Sequence, residues 1–271
     1  MPGLKQRLLL LGFLALSVGA LGLYHFKLRG EMASPADVAA SLAQGVAWIW
    51  PRSNGPLRWQ GLDLRYREAA VLVESLRLTA DAVEHGGRKQ RLAVPESVRL
   101  LPVVHVETGD AAPDALSEAQ SRTIIRALLR QAPAARAGAG MVQLDFEAPR
   151  RQRQSYIALV TALRAALPPE VRLSITALAH WCSEGDWLDR LPVDEVVPML
   201  YRLGDDAAQW RQRFAQPAAR LSRRCQGPAM GFATDEPPPR ALLARIERPY
   251  WFDNAAWSNP ALPPGNLEML R

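Results

Sequence analysis

The sequence predicts a single (β/α)8 TIM-like barrel, an α/β fold, and three observations lead to this class. From Val98 onward, short apolar strands alternate with amphipathic helices, an order typical of a parallel sheet with right-handed crossovers. Eight strand candidates close such a barrel, and 271 residues suit its size. The alternative, an open doubly wound sheet, is disfavoured because no glycine-rich phosphate loop follows any strand.

The elements succeed one another at regular spacing after the first third of the chain. Strands are predicted at residues 99–107, 141–147, 172–180, 195–201, 229–233 and 250–253, and helices at residues 117–131, 151–167, 207–215 and 240–246. Ser117 and Gln120 form a capping pattern at the first of these helices. Pro168 and Pro169 end the second helix.

The first third of the barrel is expected to be degenerate. Strands at residues 46–50 and 70–76 complete the set of eight. Residues 76–83 and 88–94 then flank Gly86-Gly87, a pattern that predicts a hairpin in place of a regular crossover.

The N-terminal segment predicts export. Lys5 and Arg7 precede an uncharged apolar run over residues 8–24, as in a signal peptide cleaved after Ala20 or in a signal anchor that holds the chain on a membrane. We therefore expect residues 1–30 to be a signal peptide or anchor, residues 31–37 a linker and residues 38–271 the barrel domain. The expected location is the periplasm, or the periplasmic side of the inner membrane.

Composition and charge narrow the classes of function. With 48% hydrophobic and 22% charged residues, the chain is neither disordered nor fibrous. Its net charge of +6 comes from dispersed arginine, so no nucleic acid partner is expected, whereas an anionic envelope or polymer would suit it. Neither metal-ligand spacing nor a Gly-x-Ser-x-Gly elbow occurs, so no cofactor, no metal and no acyl transfer are predicted.

The two cysteines leave a disulfide undecided. An even number of cysteines in an exported chain favours a bond. The barrel, however, places Cys182 just after the carboxyl end of one strand and Cys225 just before the amino end of another, on opposite faces. A disulfide needs Cα atoms within about 7 Å.

The strand at residues 141–147 carries the candidate catalytic pair. Alternation directs Gln143, Asp145 and Glu147 into the lumen and the apolar side chains towards the helices. Asp145 and Glu147 are then roughly 6–7 Å apart, and two such close acids raise one of the two pKa values. We predict Glu147 as general acid for glycosidic bond cleavage and Asp145 as its helper. In the alternative, an arginine within about 4 Å of Glu147 would mark a structural ion pair.

Other strand ends supply candidate substrate-binding side chains. They are Trp48, Trp50, His105, Glu107, His180, Trp181, Tyr201 and Asp235. The first two tryptophans would suit a sugar ring as an aromatic platform, although tryptophan also fills α/β cores.

Two short stretches resemble the chitinase-like (family 18) glycoside hydrolases. QLDFEAP at residues 143–149 resembles their Asp-x-Asp-x-Glu strand, and Met199-Leu-Tyr201 resembles their Met-x-Tyr-Asp. The resemblance implies that Glu147 is the proton donor and that Asp145 orients the substrate's N-acetyl group, which serves as the nucleophile. It also implies that Tyr201 hydrogen-bonds this group. Gln143 and Arg202 depart from the pattern, since each stands where an Asp is expected.

A broader resemblance covers most of residues 45–257. The segments WIWPRSN, LLPVVHVETG, MVQLDFEAP, SITALAHWC, LPVDEVVPMLYRLG and GFATDEPPP together look like the bacterial family catalogued as domain of unknown function 3142. The resemblance implies an exported, glycosidase-like barrel. Three functions stay open: a glycan hydrolase, a non-catalytic barrel that binds carbohydrate or peptidoglycan, and a structural envelope protein.

Overall fold

A closed barrel of eight parallel strands is the core of the structure. The computed structural model describes residues 31–50, 66–80, 82–87, 96–109, 113–216 and 220–252. In these ranges the strands are Val46–Ile49 (β1), Glu68–Leu78 (β2), Val83–Gly87 (β3), Arg99–Thr108 (β4), Met141–Phe146 (β5), Arg172–Leu178 (β6), Glu195–Met199 (β7), Ala229–Ala233 (β8) and Arg248–Phe252 (β9). The predicted fold class is confirmed.

Strand β1 closes the barrel because it pairs in parallel with both β2 and β9. Around the barrel the order is β1, β2, β4, β5, β6, β7, β8 and β9. Strand β3 lies outside this ring and pairs antiparallel with β2. The predicted degeneracy of the first third is therefore present as an inserted hairpin.

Helices cover the outside of the barrel. They are Pro35–Leu42 (α1), Glu118–Ala137 (α2), Arg153–Ala166 (α3), Ala207–Ala215 (α4) and Arg240–Leu243 (α5). Ser117 caps α2 as predicted, since its Oγ accepts a hydrogen bond from the Gln120 N–H at 3.1 Å. The crossover from β6 to β7 contains two short 3-10 turns, Ala179–Ser183 and Leu188–Arg190, in place of an α-helix.

Alternation along the strands divides the apolar residues between two cores. Val142, Leu144 and Phe146 of β5 pack outward against the helices. Trp48 lies in the separate cluster inside the barrel, where it is fully buried. Its ring meets Tyr250 edge-on at 5.5 Å.

A charged network fills the amino end of the lumen. Arg248 Nε lies 2.9 Å from Glu195 Oε2, and Arg248 Nη1 donates to Glu68 Oε2 at 3.2 Å. Tyr250 donates its hydroxyl to Glu195 Oε1 at 2.6 Å. Because these buried charges neutralise one another, the network occupies the amino end of the lumen without a net cost from an unpaired charge. The carboxyl ends of the strands, at the other end of the barrel, are not part of it.

Gly231 makes room for Trp48, and its substitution is expected to destabilise the barrel. A Cβ at Gly231 would lie 2.9 Å from Trp48 Cζ3, so Gly231→Ala should lower the free energy of unfolding by about 1–3 kcal/mol through overpacking. Urea denaturation would measure this. The matched control is Gly86→Ala, whose Cβ would meet its nearest neighbour, Ser75, at 3.4 Å and should change stability by at most about 0.5 kcal/mol. Equal effects at both glycines would contradict the packing argument.

The structure adds detail at the predicted linker and at the predicted hairpin. Within the predicted linker at residues 31–37, helix α1 begins at Pro35, and its N-cap is Ser34. The predicted hairpin is present, but the predicted turn at Gly86-Gly87 is wrong, because Leu78 pairs with Val83 and the chain reverses between these two residues. The predicted second arm at residues 88–94 lies outside the described residues.

The cysteines form a disulfide, Cys182–Cys225, with the Cα atoms 5.8 Å apart. The expectation that they lie at opposite ends of the barrel is wrong. After β6 the chain forms the turn Ala179–Ser183, and the turn Arg223–Gln226 lies beside it, with the Ser222 N–H donating to the Cys182 carbonyl at 2.7 Å. Both turns pack against β7 in the outer layer.

No helix within the described ranges is long and apolar enough to span a membrane. The apolar run at residues 8–24, on which the predicted signal or anchor rests, lies outside those ranges.

Candidate active site

The carboxyl ends of β4, β5 and β6 hold Asp145 between two hydrogen-bond donors. Asp145 is 1% exposed. Thr176 Oγ1 donates to its Oδ1 at 2.6 Å, and His105 Nδ1 lies 3.1 Å from its Oδ2. The register of the sheet produces this contact, because His105 on β4 pairs directly with Asp145 on β5. Both carboxylate oxygens are therefore engaged and the orientation of the group is fixed.

Glu147 follows the end of β5 and makes no ion pair within the described part of the chain. No arginine is paired with it there, so the contact that would mark a structural ion pair is absent from those residues. The side chain keeps contact with solvent, yet the barrel mouth partly desolvates its carboxyl. This desolvation raises the pKa of Glu147, repulsion from Asp145 raises it further, and His105 opposes both.

The pKa of His105 is also raised. Burial acts to lower it, but the hydrogen bond to Asp145 and the negative charges of Asp145, Glu147 and Glu107 outweigh burial. Because Asp145 offers only acceptor oxygens when ionised, the contact requires a hydrogen on Nδ1, which both the protonated ring and one neutral tautomer supply. The mouth thus holds a fixed acid, an imidazole bound to it and a second acid whose pKa is raised.

Asp145→Asn is expected to lower the pKa of Glu147. The repulsion from Asp145 exceeds the attraction from His105, so removing the Asp145 charge favours ionised Glu147 even if His105 loses its proton as well. Carbon-13 NMR titration of the Glu147 carboxyl would show its midpoint at lower pH than in the wild type. The signal is assigned by its loss in Glu147→Gln. An unchanged or higher midpoint would show that the two acids do not interact.

Three aromatic rings line the mouth above the acids. Trp50 packs against His105 with 4.6 Å between ring centroids, and Tyr201 stacks on Phe252 at 5.6 Å with 14° between the planes. Burial raises the pKa of Tyr201, and the charges of Asp145 and Glu147 raise it further. Its hydroxyl therefore stays protonated, and the proton that it directs to Met199 Sδ at 3.8 Å can be redirected to a ligand.

Trp48 lies beneath this lining, not in it. Its ring is fully buried and meets Tyr201 edge-on at 6.2 Å. The structure therefore brings Trp50 and Tyr201 to the predicted site with Asp145, Glu147 and His105, but makes Trp48 part of the barrel core.

His180 and Trp181 follow the end of β6, where His180 is exposed and Trp181 is buried. Strand β6 ends at Leu178, two residues earlier than predicted, and both residues follow in the 3-10 turn. Trp181 is buried in the outer layer against Tyr156 at 5.5 Å and Trp187 at 5.3 Å. The predicted strand is therefore two residues too long, and a role of His180 and Trp181 in substrate binding stays a prediction.

Asp235 and Glu107 carry ion pairs. Arg202 binds Asp235 through Nη2 at 2.7 Å, and its backbone N–H donates to Glu236 Oε2 at 3.1 Å. Arg202 itself has a φ of 55°, so the residue that departs from the family pattern forms a turn that links the ends of β7 and β8. Glu107 pairs with Arg77 at 3.2 Å, with both side chains about half exposed.

Gln143, the second residue that departs from the family 18 pattern, lies inside the barrel. It is fully buried, and its Nε2 donates to Ser174 Oγ at 3.0 Å. Sequence reasoning missed Thr176 and Phe252. The two-residue alternation that predicted a lumen position for Asp145 predicts one for both residues as well. Thr176 lies two residues after Ser174, and Phe252 lies two residues after Tyr250.

Comparison with solved structures shows the fold. A fungal endo-β-N-acetylglucosaminidase from glycosyl hydrolase family 18 matches with a TM-score of 0.51 and 15% identity, over 83% of this chain and 94% of that one. The two chains therefore share the barrel fold. The Bacillus cereus spore cortex-lytic enzyme SleL also matches, with a TM-score of 0.46, 14% identity and coverage of 75% of this chain. This chain spans 57% of SleL.

No family model and no curated protein matches the chain. The resemblance to the domain of unknown function 3142 therefore stays a prediction. Across the described residues, no group of three or more His, Cys, Asp and Glu side chains is arranged to hold a metal ion.

Proposed function

We propose that this chain is an exported glycoside hydrolase that cleaves an envelope or extracellular glycan containing N-acetylglucosamine. Glu147 is the general acid and Asp145 its helper. The observation that carries the proposal is the pair itself: Asp145, fixed by Thr176 and His105, beside Glu147, whose pKa is raised. The barrel shared with an endo-β-N-acetylglucosaminidase supports this class of substrate.

The proposed reaction begins with a neutral Glu147, which a raised pKa favours. Glu147 donates its proton to the glycosidic oxygen as the bond to the anomeric carbon breaks. The carbonyl oxygen of the substrate's own N-acetyl group forms a bond to that carbon, while Asp145 accepts a hydrogen bond from the amide N–H. Water then attacks the anomeric carbon and releases the N-acetyl oxygen, and Glu147 takes the proton of the water.

His105 and Tyr201 have distinct roles in this scheme. The ring N–H of His105 holds Asp145 in one orientation together with Thr176, so His105 is a positioning residue. Tyr201 hydrogen-bonds the N-acetyl group with its protonated hydroxyl. Gln143 has no assigned role: it is fully buried and its Nε2 is bound to Ser174.

Two features support export. Residues 1–30 have the pattern of a signal peptide or anchor. The disulfide Cys182–Cys225 is typical of an oxidising compartment. Peptidoglycan is then a natural partner, and an uncleaved segment would add contact with the membrane.

The function is tested by a binding screen against glycans followed by hydrolysis assays. Residues 31–271 would be incubated with peptidoglycan fragments, N-acetylglucosamine oligomers and matched oligomers of glucose. New reducing ends from glycans that carry N-acetyl groups, and none from glucose oligomers, are the expected result. Binding to no glycan would contradict the proposal.

A non-catalytic glycan-binding barrel is the second candidate. Gln143 and Arg202 favour it, since both replace an Asp of the family pattern and both are bound within the structure. Tight binding without turnover, unchanged by Glu147→Gln, would select this reading.

A further inference from the structure

Strands β2, β3 and β4 continue past the rim of the barrel on one side. The last residue of β2 that pairs with β1 is Val71, whereas its pairing with β4 continues to Leu78. Counted from the end of the pairing with β1, these seven residues span about 20 Å, and the last three of them lie beyond the row that contains Asp145. On the other side of β4, pairing with β5 stops at Val106. A three-stranded wall therefore stands beside the acid pair.

A β-bulge in β2 determines which face of the wall is directed towards the site. The register of β2 against β4 shifts between Leu72 and Glu74. A one-residue shift moves every later side chain to the opposite face. As a result Ser75 and Arg77 share the lumen face with His105, while Leu76 and Leu78 are buried on the outer side.

The inner face of the wall is a continuation of the site. Paired positions place Gly86, Ser75, His105 and Asp145 in one row across four strands. The next row, farther from the barrel, consists of Glu84, Arg77 and Glu107. We use the name wall face for Ser75, Arg77, Glu84, Gly86 and Glu107.

The wall face is polar and accessible. Arg77, Glu84 and Gly86 are exposed and Ser75 is half-buried. Arg77 donates one of its five N–H groups to Glu107, at 3.2 Å. The other N–H groups can therefore donate to hydroxyl or carbonyl oxygens of a ligand. Gly86 adds no side chain, which leaves the backbone open beside Ser75.

We propose that the wall face binds the part of the glycan that extends beyond the cleaved bond, so that the site takes polymers in preference to disaccharides. This inference rests on the proposed function for the identity of the ligand. The polar rows suit a hydroxyl-rich chain and join the catalytic row directly at His105. From His105 to Gly86 they cross two strand spacings, about 10 Å, which accommodates about two sugar rings. Arg77 is the principal donor.

Calorimetric binding of N-acetylglucosamine oligomers to the Glu147→Gln protein tests this without any need for turnover. The hexasaccharide should bind more tightly than the disaccharide. Adding Arg77→Ala should lower the affinity for the hexasaccharide about tenfold, because hydrogen bonds from a charged donor are lost. The affinity for the disaccharide should stay unchanged. Arg77→Gln, with a shorter and neutral donor, should lie between.

The matched control is His85→Ala, on the same hairpin but on the outer face, where His85 pairs with Glu74. It should change neither affinity. Thermal melting verifies that the variants fold, as expected for exposed positions. Equal affinity for both oligomers, or a hexasaccharide affinity that Arg77→Ala does not change, would overturn the inference. Hydrolysis by the wild type tests the proposed function separately, so failure of one is distinguishable from failure of the other.

Discussion

Glu147→Gln is expected to lower the turnover number of glycan cleavage by about 10²–10⁴-fold, because glutamine cannot donate the proton that the leaving oxygen needs. The Michaelis constant should change little, since the amide keeps the size and hydrogen-bonding reach of the acid. Glu147 makes no ion pair with any described residue, so its neutralisation breaks no contact there and the melting temperature should stay close to that of the wild type. Reducing-end assays across substrate concentrations separate the two kinetic constants.

The matched control for that variant is Glu170→Gln, the same chemical change at a half-exposed carboxylate paired with Arg136. It should retain wild-type turnover. A Glu147→Gln protein that cleaves glycan at the wild-type rate would show that Glu147 is not the acid. Loss of binding together with turnover would instead give it a binding role.

The second large effect concerns stability. Removing the disulfide by Cys182→Ala with Cys225→Ala opens a loop with a sequence separation of 43 residues. The loss of this constraint on the unfolded chain should lower the free energy of unfolding by about 4 kcal/mol. The melting temperature should decrease by about 10 °C. The crossover from β6 to β7 has no α-helix to hold it, so this region should open first.

Urea denaturation with and without dithiothreitol checks the disulfide prediction. Reductant should destabilise the wild type towards the variant and leave the variant unchanged. A double variant within about 1 kcal/mol of the wild type would show that the bond contributes little, and would also weaken the argument for an oxidising compartment.

Much of the barrel and the acid pair follows from local patterns. Helix α4 and strand β8 were predicted at their observed limits, because Gly, Pro and Asp residues mark where each apolar period ends. Asp145 and Glu147 follow from two-residue alternation on a strand that is apolar on its outer side. These features depend on neighbours within a few residues.

The rest depends on contacts between residues far apart in the sequence. His105 meets Asp145 because β4 and β5 adopt one register among several that the pattern allows. The bulge near Val73 depends likewise on how β2 fits β4. Cys182 meets Cys225 because the chain bends outward after Leu178, where the apolar pattern continues and gave no reason to end the strand.

The configuration of the first product tests the central claim most directly. When the N-acetyl oxygen and then water displace groups at the anomeric carbon, two inversions restore the original configuration. Proton NMR of a β-linked N-acetylglucosamine hexasaccharide, recorded within the first minutes of cleavage by residues 31–271, should therefore show the β anomer of the new reducing end in excess before mutarotation. An α anomer formed first, or no new reducing end at all, would contradict the assignment of Glu147 and Asp145.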